Sequence, residues 1–104
     1  MNKMPKALRA ALALQPRMRR CARHGPDCSG RITWEHAIYY AGRQVQRAWA
    51  IVPLCWFHHL GAGLAKEVNR HLALQRASES DLSEFPREDF RQQKKYLESI
   101  YGPI

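Results

Sequence analysis

The sequence predicts an α+β fold in which a β-hairpin and the helix after it form a small core, with one helix before it and another beyond. Three observations predict this. Two runs rich in Ile, Val, Trp, Tyr and Thr, Arg31 to Tyr40 and Gln44 to Leu54, flank Ala41-Gly42-Arg43, the composition of paired strands around a turn. Beyond Cys55 the apolar period lengthens to that of a helix, with Phe57, Leu60, Leu64, Val68 and Leu72 on one side. Finally, cysteines and a histidine stand at both borders of the hairpin: Cys21 and Cys28 before it, Cys55 and His58 after it.

The flanking elements follow from local signals. Pro5 suits a first helical turn, and Leu8, Ala11 and Leu12 keep helical spacing until Pro16, which gives a short helix over residues 5–15. From Gln15 to Gly30 the chain is polar and irregular, punctuated by Pro16, Gly25, Pro26 and Gly30, so it is a loop that something must hold. Gly61 and Gly63 weaken the first turns of the middle helix by roughly 1 kcal/mol each relative to alanine, or admit a close approach. Residues 77–85 read as a polar connection; Pro86 then opens a last helix with Phe90, Leu97 and Ile100 or Tyr101 facing inward, ended by Gly102-Pro103.

At 104 residues, 45% of them apolar, the chain has room for one domain and excludes a multidomain enzyme. A core this small gains from a staple. The three cysteines cannot pair off fully and no secretory signal is visible, so they read as thiolate ligands in a reducing, cytoplasmic compartment. Cys21, Cys28, Cys55 and His58 suit tetrahedral zinc, and four protein ligands leave no open position, which makes the zinc structural. His24 is an alternative fourth ligand, and three buried thiols without metal are the plainer alternative. The resulting division of the single domain 1–104 is a basic N-terminal helix and arm (1–20), a zinc-bound core (21–76), and a linker with the C-terminal helix (77–104).

Charge points to a partner. The chain carries 17 basic and nine acidic side chains for a net +8, and residues 1–76 hold 13 of the basic and three of the acidic ones. Such a field favours phosphate backbones, since each neutralised phosphate releases a counterion. The most apolar N-terminal stretch, Ala7 to Leu14, is broken by Arg9 and too short to span a bilayer, so no membrane partner is expected. Arg17, Arg19, Arg20 and Arg23 are expected to track a DNA backbone, with Arg43 and Lys66 near the phosphates. No residue offers evident base readout, so sequence specificity should be low. No interface between copies is specified.

A second constellation remains: Glu35-His36 on the first strand and His59 beside His58. If the first strand runs next to the start of the helix, His59 faces away from His58 and meets Glu35 and His36. A carboxylate and an imidazole holding a divalent ion, beside a free histidine, are a hydrolytic arrangement of Lewis acid, water and base. Adjacent residues on a regular strand face opposite ways, so Glu35 and His36 share a site only if the strand ends or bulges there.

The run Cys21…Cys28…Trp34-Glu35-His36-Ala37-Ile38…Gly42…Val52-Pro53-Leu54-Cys55-Trp56-Phe57-His58-His59 resembles the HNH endonucleases, the ββα-metal nucleases, particularly small phage and prophage members, over residues 21 to about 75. The resemblance implies a ββα-metal core with Cys21, Cys28, Cys55 and His58 as zinc ligands. It further implies Glu35 and His59 as ligands of a catalytic Mg²⁺, Mn²⁺ or similar ion, and His36 as general base for hydrolysis of DNA phosphodiester bonds. The family's middle asparagine, which braces the loop between the strands, falls on Ala50 here. The alternative reading is therefore a catalytically inactive, zinc-stapled nucleic-acid-binding module on the same scaffold. A third is a zinc-stabilised interaction adaptor using the acidic C-terminal helix with Trp56, Tyr96 and Tyr101.

Overall fold

The computed structural model describes residues 4–61 and 66–102. Helix α1 (Lys6–Ala13) leads through a 3₁₀ turn (Pro16–Arg19) and the loop of Cys21 and Cys28 into β1 (Ile32–His36). A small ladder of β2 (Tyr39–Tyr40) and β3 (Arg43–Gln44) follows, then a 3₁₀ turn (Ala48–Ala50), β4 (Ile51–Cys55), a π-helical turn (Phe57–Gly61), α2 (Lys66–Arg76), α3 (Glu79–Ser83) and α4 (Phe90–Tyr101). Leu64 and Gly63, expected on the middle helix, lie outside the described residues.

The expected hairpin is present but interrupted. β1 pairs antiparallel with β4 in the register Ile32↔Cys55 to His36↔Ile51, and Tyr39↔Gln44 and Tyr40↔Arg43 pair in the second ladder. Its turn places Ala41 and Gly42 at φ 51° and 77°, the left-handed pair that a two-residue hairpin turn requires. Between the ladders the chain leaves the sheet to bury Trp49 and Ala50. Tyr40, Trp49, Phe85 and Phe90 meet there with centroids 5.0–6.3 Å apart, and packing these rings breaks the long strands that composition alone suggests.

Every residue of β4 is buried because the sheet is covered on both faces. Ile51 joins Leu12 and Met18 under α1, whereas Val52 and Leu54 join Leu72, Ala73 and Leu74 of α2 and Leu97 of α4. This explains the unbroken apolar run where a half-covered strand would alternate. Pro53 is tolerated because it has no N–H to leave unpaired and its carbonyl accepts from Ala22 N–H at 2.7 Å, which pins the cysteine loop along β4.

Two expectations on the C-terminal part are corrected. The polar connection over 77–85 contains α3: Ser78 and Asp81 form a reciprocal capping box, satisfying the first orphan N–H groups of a short helix. Helix α4 starts at Phe90 rather than at Pro86, with Asp89 as its N-cap accepting from Gln92 N–H. Phe90 and Leu97 face inward, but Ile100 and Tyr101 are exposed, as are Tyr96 and Trp56.

Gly30 sits at φ +85°, and a Cβ there would stand 2.7 Å from Trp56 Cβ, where the loop crosses the end of β4. Gly30→Ala is expected to cost about 1–3 kcal/mol in denaturant unfolding, from strain plus displacement of Trp56. Gly42→Ala, with φ +77° but open space around it, should cost less.

Candidate metal centre and adjoining cleft

Cys21 and Cys28 come from the loop pinned to β4, Cys55 is the last residue of β4, and His58 lies on the π-helical turn. Phe57 N–H bonds Ser29 O at 3.0 Å and Trp56 N–H bonds Arg31 O at 2.9 Å, which holds the two ligand-bearing segments side by side. The four ligand atoms lie within 4.8 Å of one another. His58 Nδ1 faces all three sulfurs, 3.3 Å from Cys21, 3.7 Å from Cys28 and 3.1 Å from Cys55. Tetrahedral zinc with ordinary Zn–S and Zn–N lengths sets sulfur and nitrogen about 3.6 Å apart, so the donor set and its spacing fit zinc. His24 is outside this cluster and lines the neighbouring depression with Arg20.

Electrostatics favour the thiolate at Cys55 and oppose it at Cys21. Burial pushes the Cys55 thiol up, but the backbone N–H groups of His58 and Ser29, with the Cys21 and His58 side chains, outweigh it and bring Cys55 down to about 6. Burial pushes the Cys21 thiol up, and hydrogen bonds with the Cys55 and Cys28 side chains add to the rise. The far side of His58 is held by Asp27, whose Oδ2 lies 3.2 Å from Nε2. With Nε2–H donated to that carboxylate, Nδ1 keeps its lone pair for the metal. Sequence reasoning missed Asp27. It is the first acidic residue of a chain whose preceding 26 positions carry none, and it stands next to Cys28, which was the available signal.

The second constellation is partly assembled. His59 Nε2 lies 3.7 Å from Glu35 Oε2, and Asn69 of α2 donates its Nδ2–H to that same oxygen at 3.3 Å. Thr33 Oγ1 is 2.5 Å from His59 Nδ1. Among the described residues the Cys₃His set is the one group of three or more Cys, His or acidic side chains that converges; Glu35 and His59 form a pair. His36 ends β1, with Ala37 N–H still bonded to Ala50 O at 3.0 Å, so the strand stops there without a bulge. Its Nε2 meets Gln46 Oε1 at 2.9 Å, while its side chain lines a cleft of about 70 Å³ together with Glu35, Tyr39, Lys66, Asn69 and Arg70. Thr33, Gln46, Asn69 and Arg70 were not singled out in the sequence. Thr33 could have been, because it is two residues from Glu35 on the same strand face. His71 is buried elsewhere and donates to Gly102 O at 2.9 Å.

The basic side chains divide. Arg19, Arg20, Arg43 and Lys66 are exposed, and Arg23 is half-buried. Arg17 is not spread toward solvent: its guanidinium donates to Ala48 O at 2.8 Å and Ile51 O at 3.2 Å, and burial, with Arg76 nearby, lowers its pKa to about 10. It braces the turn before β4. Ala50, where the sequence resemblance would place an asparagine, is 0% exposed within the core.

Comparison with known proteins adds no relative: no family model matches the chain, and neither a curated protein nor a solved structure does. The architecture itself is a mixed fold of small two-stranded sheets and helices flanking a Cys₃His metal-binding cluster of ββα type. No helix among the described residues is long and apolar enough to cross a membrane.

Three outcomes are expected. The purified chain should carry one zinc ion, and Asp27→Asn should weaken zinc binding about 10–100-fold in chelator competition. In the metal-free protein the lowered Cys55 pKa contributes stability that is present above the ordinary thiol value of about 8.5 and lost as pH falls through about 6. Thermal melts should therefore show the metal-free protein weakening over that window and the zinc-loaded protein holding to lower pH. Ala50→Asn should destabilise by about 1–3 kcal/mol in the same melts, because it buries an amide among apolar neighbours.

Proposed function

We propose that this chain is a zinc-stapled nucleic-acid-binding module on a ββα-type scaffold. The observation that carries the reading is the Cys₃His cluster: Nδ1 of His58 aimed at three sulfurs, with Asp27 fixing the ring from behind. A closed four-ligand site does no chemistry directly but locks a basic loop onto the sheet. The net charge of +8, concentrated in residues 1–76, supports a phosphate-bearing partner, with DNA the expected one. Arg19, Arg20, Arg43 and Lys66 are the exposed candidates for phosphate contact, with Arg23 behind them, while Arg17 acts by bracing the scaffold.

One observation favours a second reading, an HNH-type endonuclease: Glu35, which stands 3.7 Å from His59, lines one cleft together with His36. In that reading neutral His36 takes a proton from water as the water oxygen bonds to phosphorus and the P–O3′ bond breaks, leaving a 5′ phosphate. With Gln46 Oε1 accepting from Nε2–H, Nδ1 is the nitrogen left to take that proton. A Mg²⁺- or Mn²⁺-like ion, if held by Glu35 and His59, would neutralise the charge developing on the phosphate and on the departing O3′, which takes its proton from solvent water. Lys66 and Arg70, on the rim of the cleft, would hold the phosphate in register.

The binding reading is tested by retardation of duplex DNA by zinc-loaded protein. Four phosphate contacts imply a log–log salt slope near −3.6, or roughly a 100-fold loss of affinity between about 50 and about 200 mM salt. Affinity that ignores salt would overturn it. Supercoiled plasmid with Mg²⁺ or Mn²⁺ decides the second reading: nicking by the zinc-loaded chain that His36→Ala abolishes is the result the nuclease requires. Retardation without nicking leaves the binding module alone.

A further inference from the structure

Beside the Cys₃His cluster the surface opens into a depression of about 600 Å³. Its buried end is made by Cys21 and Cys55, where the metal goes; outward it is lined by the exposed Arg20, His24, Ser29 and Gly30, with Ile32 half-buried. One metal ion fills little of that space, since even a water molecule's share of volume is only about 30 Å³. What is left falls in the size range of small-molecule sites, about 300–1,000 Å³, and its walls combine Ile32 and the cysteine side chains with a guanidinium and an imidazole.

A tryptophan stands at its edge. Gly30 packs so closely on Trp56 that a Cβ at position 30 would lie 2.7 Å from Trp56 Cβ, and Trp56 N–H bonds Arg31 O at 2.9 Å, which fixes the backbone on both sides. The three tryptophans of the chain divide. Trp49 is buried in the aromatic cluster, Trp34 is half-buried with Nε1–H donated to Met18 O at 3.3 Å, and Trp56 is 49% exposed. The Trp56 indole is thus apolar surface that the core does not use. Arg20 and Arg31 nearby are exposed cations, and Asp27, the one acidic residue before Glu35, is engaged with His58. A cationic depression with an indole at its edge complements a ligand that is at once aromatic and anionic. An unpaired nucleotide is such a ligand, whereas the faces of a base inside a duplex are covered by its neighbours.

We infer that this depression and Trp56 form a seat for one unpaired nucleotide of single-stranded DNA, with the base stacked on the Trp56 indole and its phosphate met by Arg20. The inference rests on the nucleic-acid-binding reading and narrows it, because a single strand then binds more tightly than a duplex.

The test is titration of the zinc-loaded chain with a short oligothymidylate, which cannot pair with itself, and with a duplex of equal length, followed by tryptophan fluorescence and by the anisotropy of a dye on the DNA. The single strand should quench the emission and bind more tightly than the duplex. Trp56→Leu, checked for full zinc content, should weaken single-strand binding about 5–150-fold, the range of one base–aromatic stack, and leave duplex binding unchanged. Trp56→Phe, which keeps an aromatic face, should bind single strands near wild-type strength without the quenching, a distinction that loss of packing against Gly30 would not produce. Arg20→Ala should flatten the log–log salt slope of single-strand binding by about 0.7. Single-strand binding that is no tighter than duplex binding, whose strength ignores Trp56→Leu or whose salt slope ignores Arg20→Ala, overturns this inference and leaves the binding reading standing on the duplex. Binding of neither DNA overturns both. If Trp56→Leu loses its zinc, Trp56→Phe decides: quenching that survives in it does not come from Trp56 and removes the stack.

Discussion

Between Gln15 and Gly30 the chain buries little apolar surface beyond Met18, so the place of this basic loop depends on four ligand atoms meeting at one point. Backbone bonds from Ala22 to Pro53 and from Phe57 to Ser29 bring the loop near β4, but two such bonds are worth only about 1 kcal/mol each in net stability. A metal bound by folded ligands and by no preformed site in the unfolded chain contributes its binding free energy to folding. That coupling makes the Cys₃His cluster the constraint on which the basic surface and the sheet edge both rely. The lowered pKa of Cys55 fits it, since a thiolate at neutral pH is the form that zinc requires.

From the same constraint the second constellation takes its position. Cys55 closes β4 and His58 turns inward to the sulfurs, so the next residue, His59, must emerge beside β1, where Thr33 and Glu35 share a face. α2 then crosses β4 with Ala73 and Leu74 in the core, and that packing delivers Asn69 to Glu35. Arg17 does the corresponding work on the other face, tying the turn before β4 to the N-terminal arm through two carbonyls. A charge read as available to phosphate is in this way consumed by the scaffold, where Lys would lack the planar fork that reaches both oxygens.

Much of this was legible in the sequence, for physical reasons. The four zinc-ligand candidates stand out because thiolate and imidazole are rare and their spacing brackets a hairpin; the turn at Ala41-Gly42 stands out because positive φ is demanded there. The strand-to-helix order follows from the change of period after Cys55. What was not legible depends on tertiary packing. The break between β1 and β2 reflects Trp49 and Tyr40 seeking Phe85 and Phe90 from a distant segment, which no local periodicity encodes. Helix α3 was legible and passed over: Ser78-x-x-Asp81 is a capping pattern inside what composition presents as a polar linker. Asp27, Gln46 and Asn69 act through single hydrogen bonds to residues up to 34 positions away, and such pairs leave no trace in spacing.

Position 50, where the resemblance drawn from the sequence would place an asparagine, carries an alanine. Ala50 is fully buried in the apolar core, so an amide there would have to displace packed apolar side chains. The histidine that such an asparagine would help to orient is instead met by Gln46, which comes from the loop between the ladders and reaches His36 Nε2 at 2.9 Å. Gln46 Nε2 is buried without a partner, so the amide is held by its oxygen alone. The brace is thus supplied by a side chain four residues earlier, in a loop whose shape is set by Trp49 in the aromatic cluster rather than by a hydrogen bond at position 50. Orientation of His36 and burial of Trp49 are consequently coupled: whatever loosens the aromatic cluster moves Gln46, and with it the ring at the mouth of the cleft.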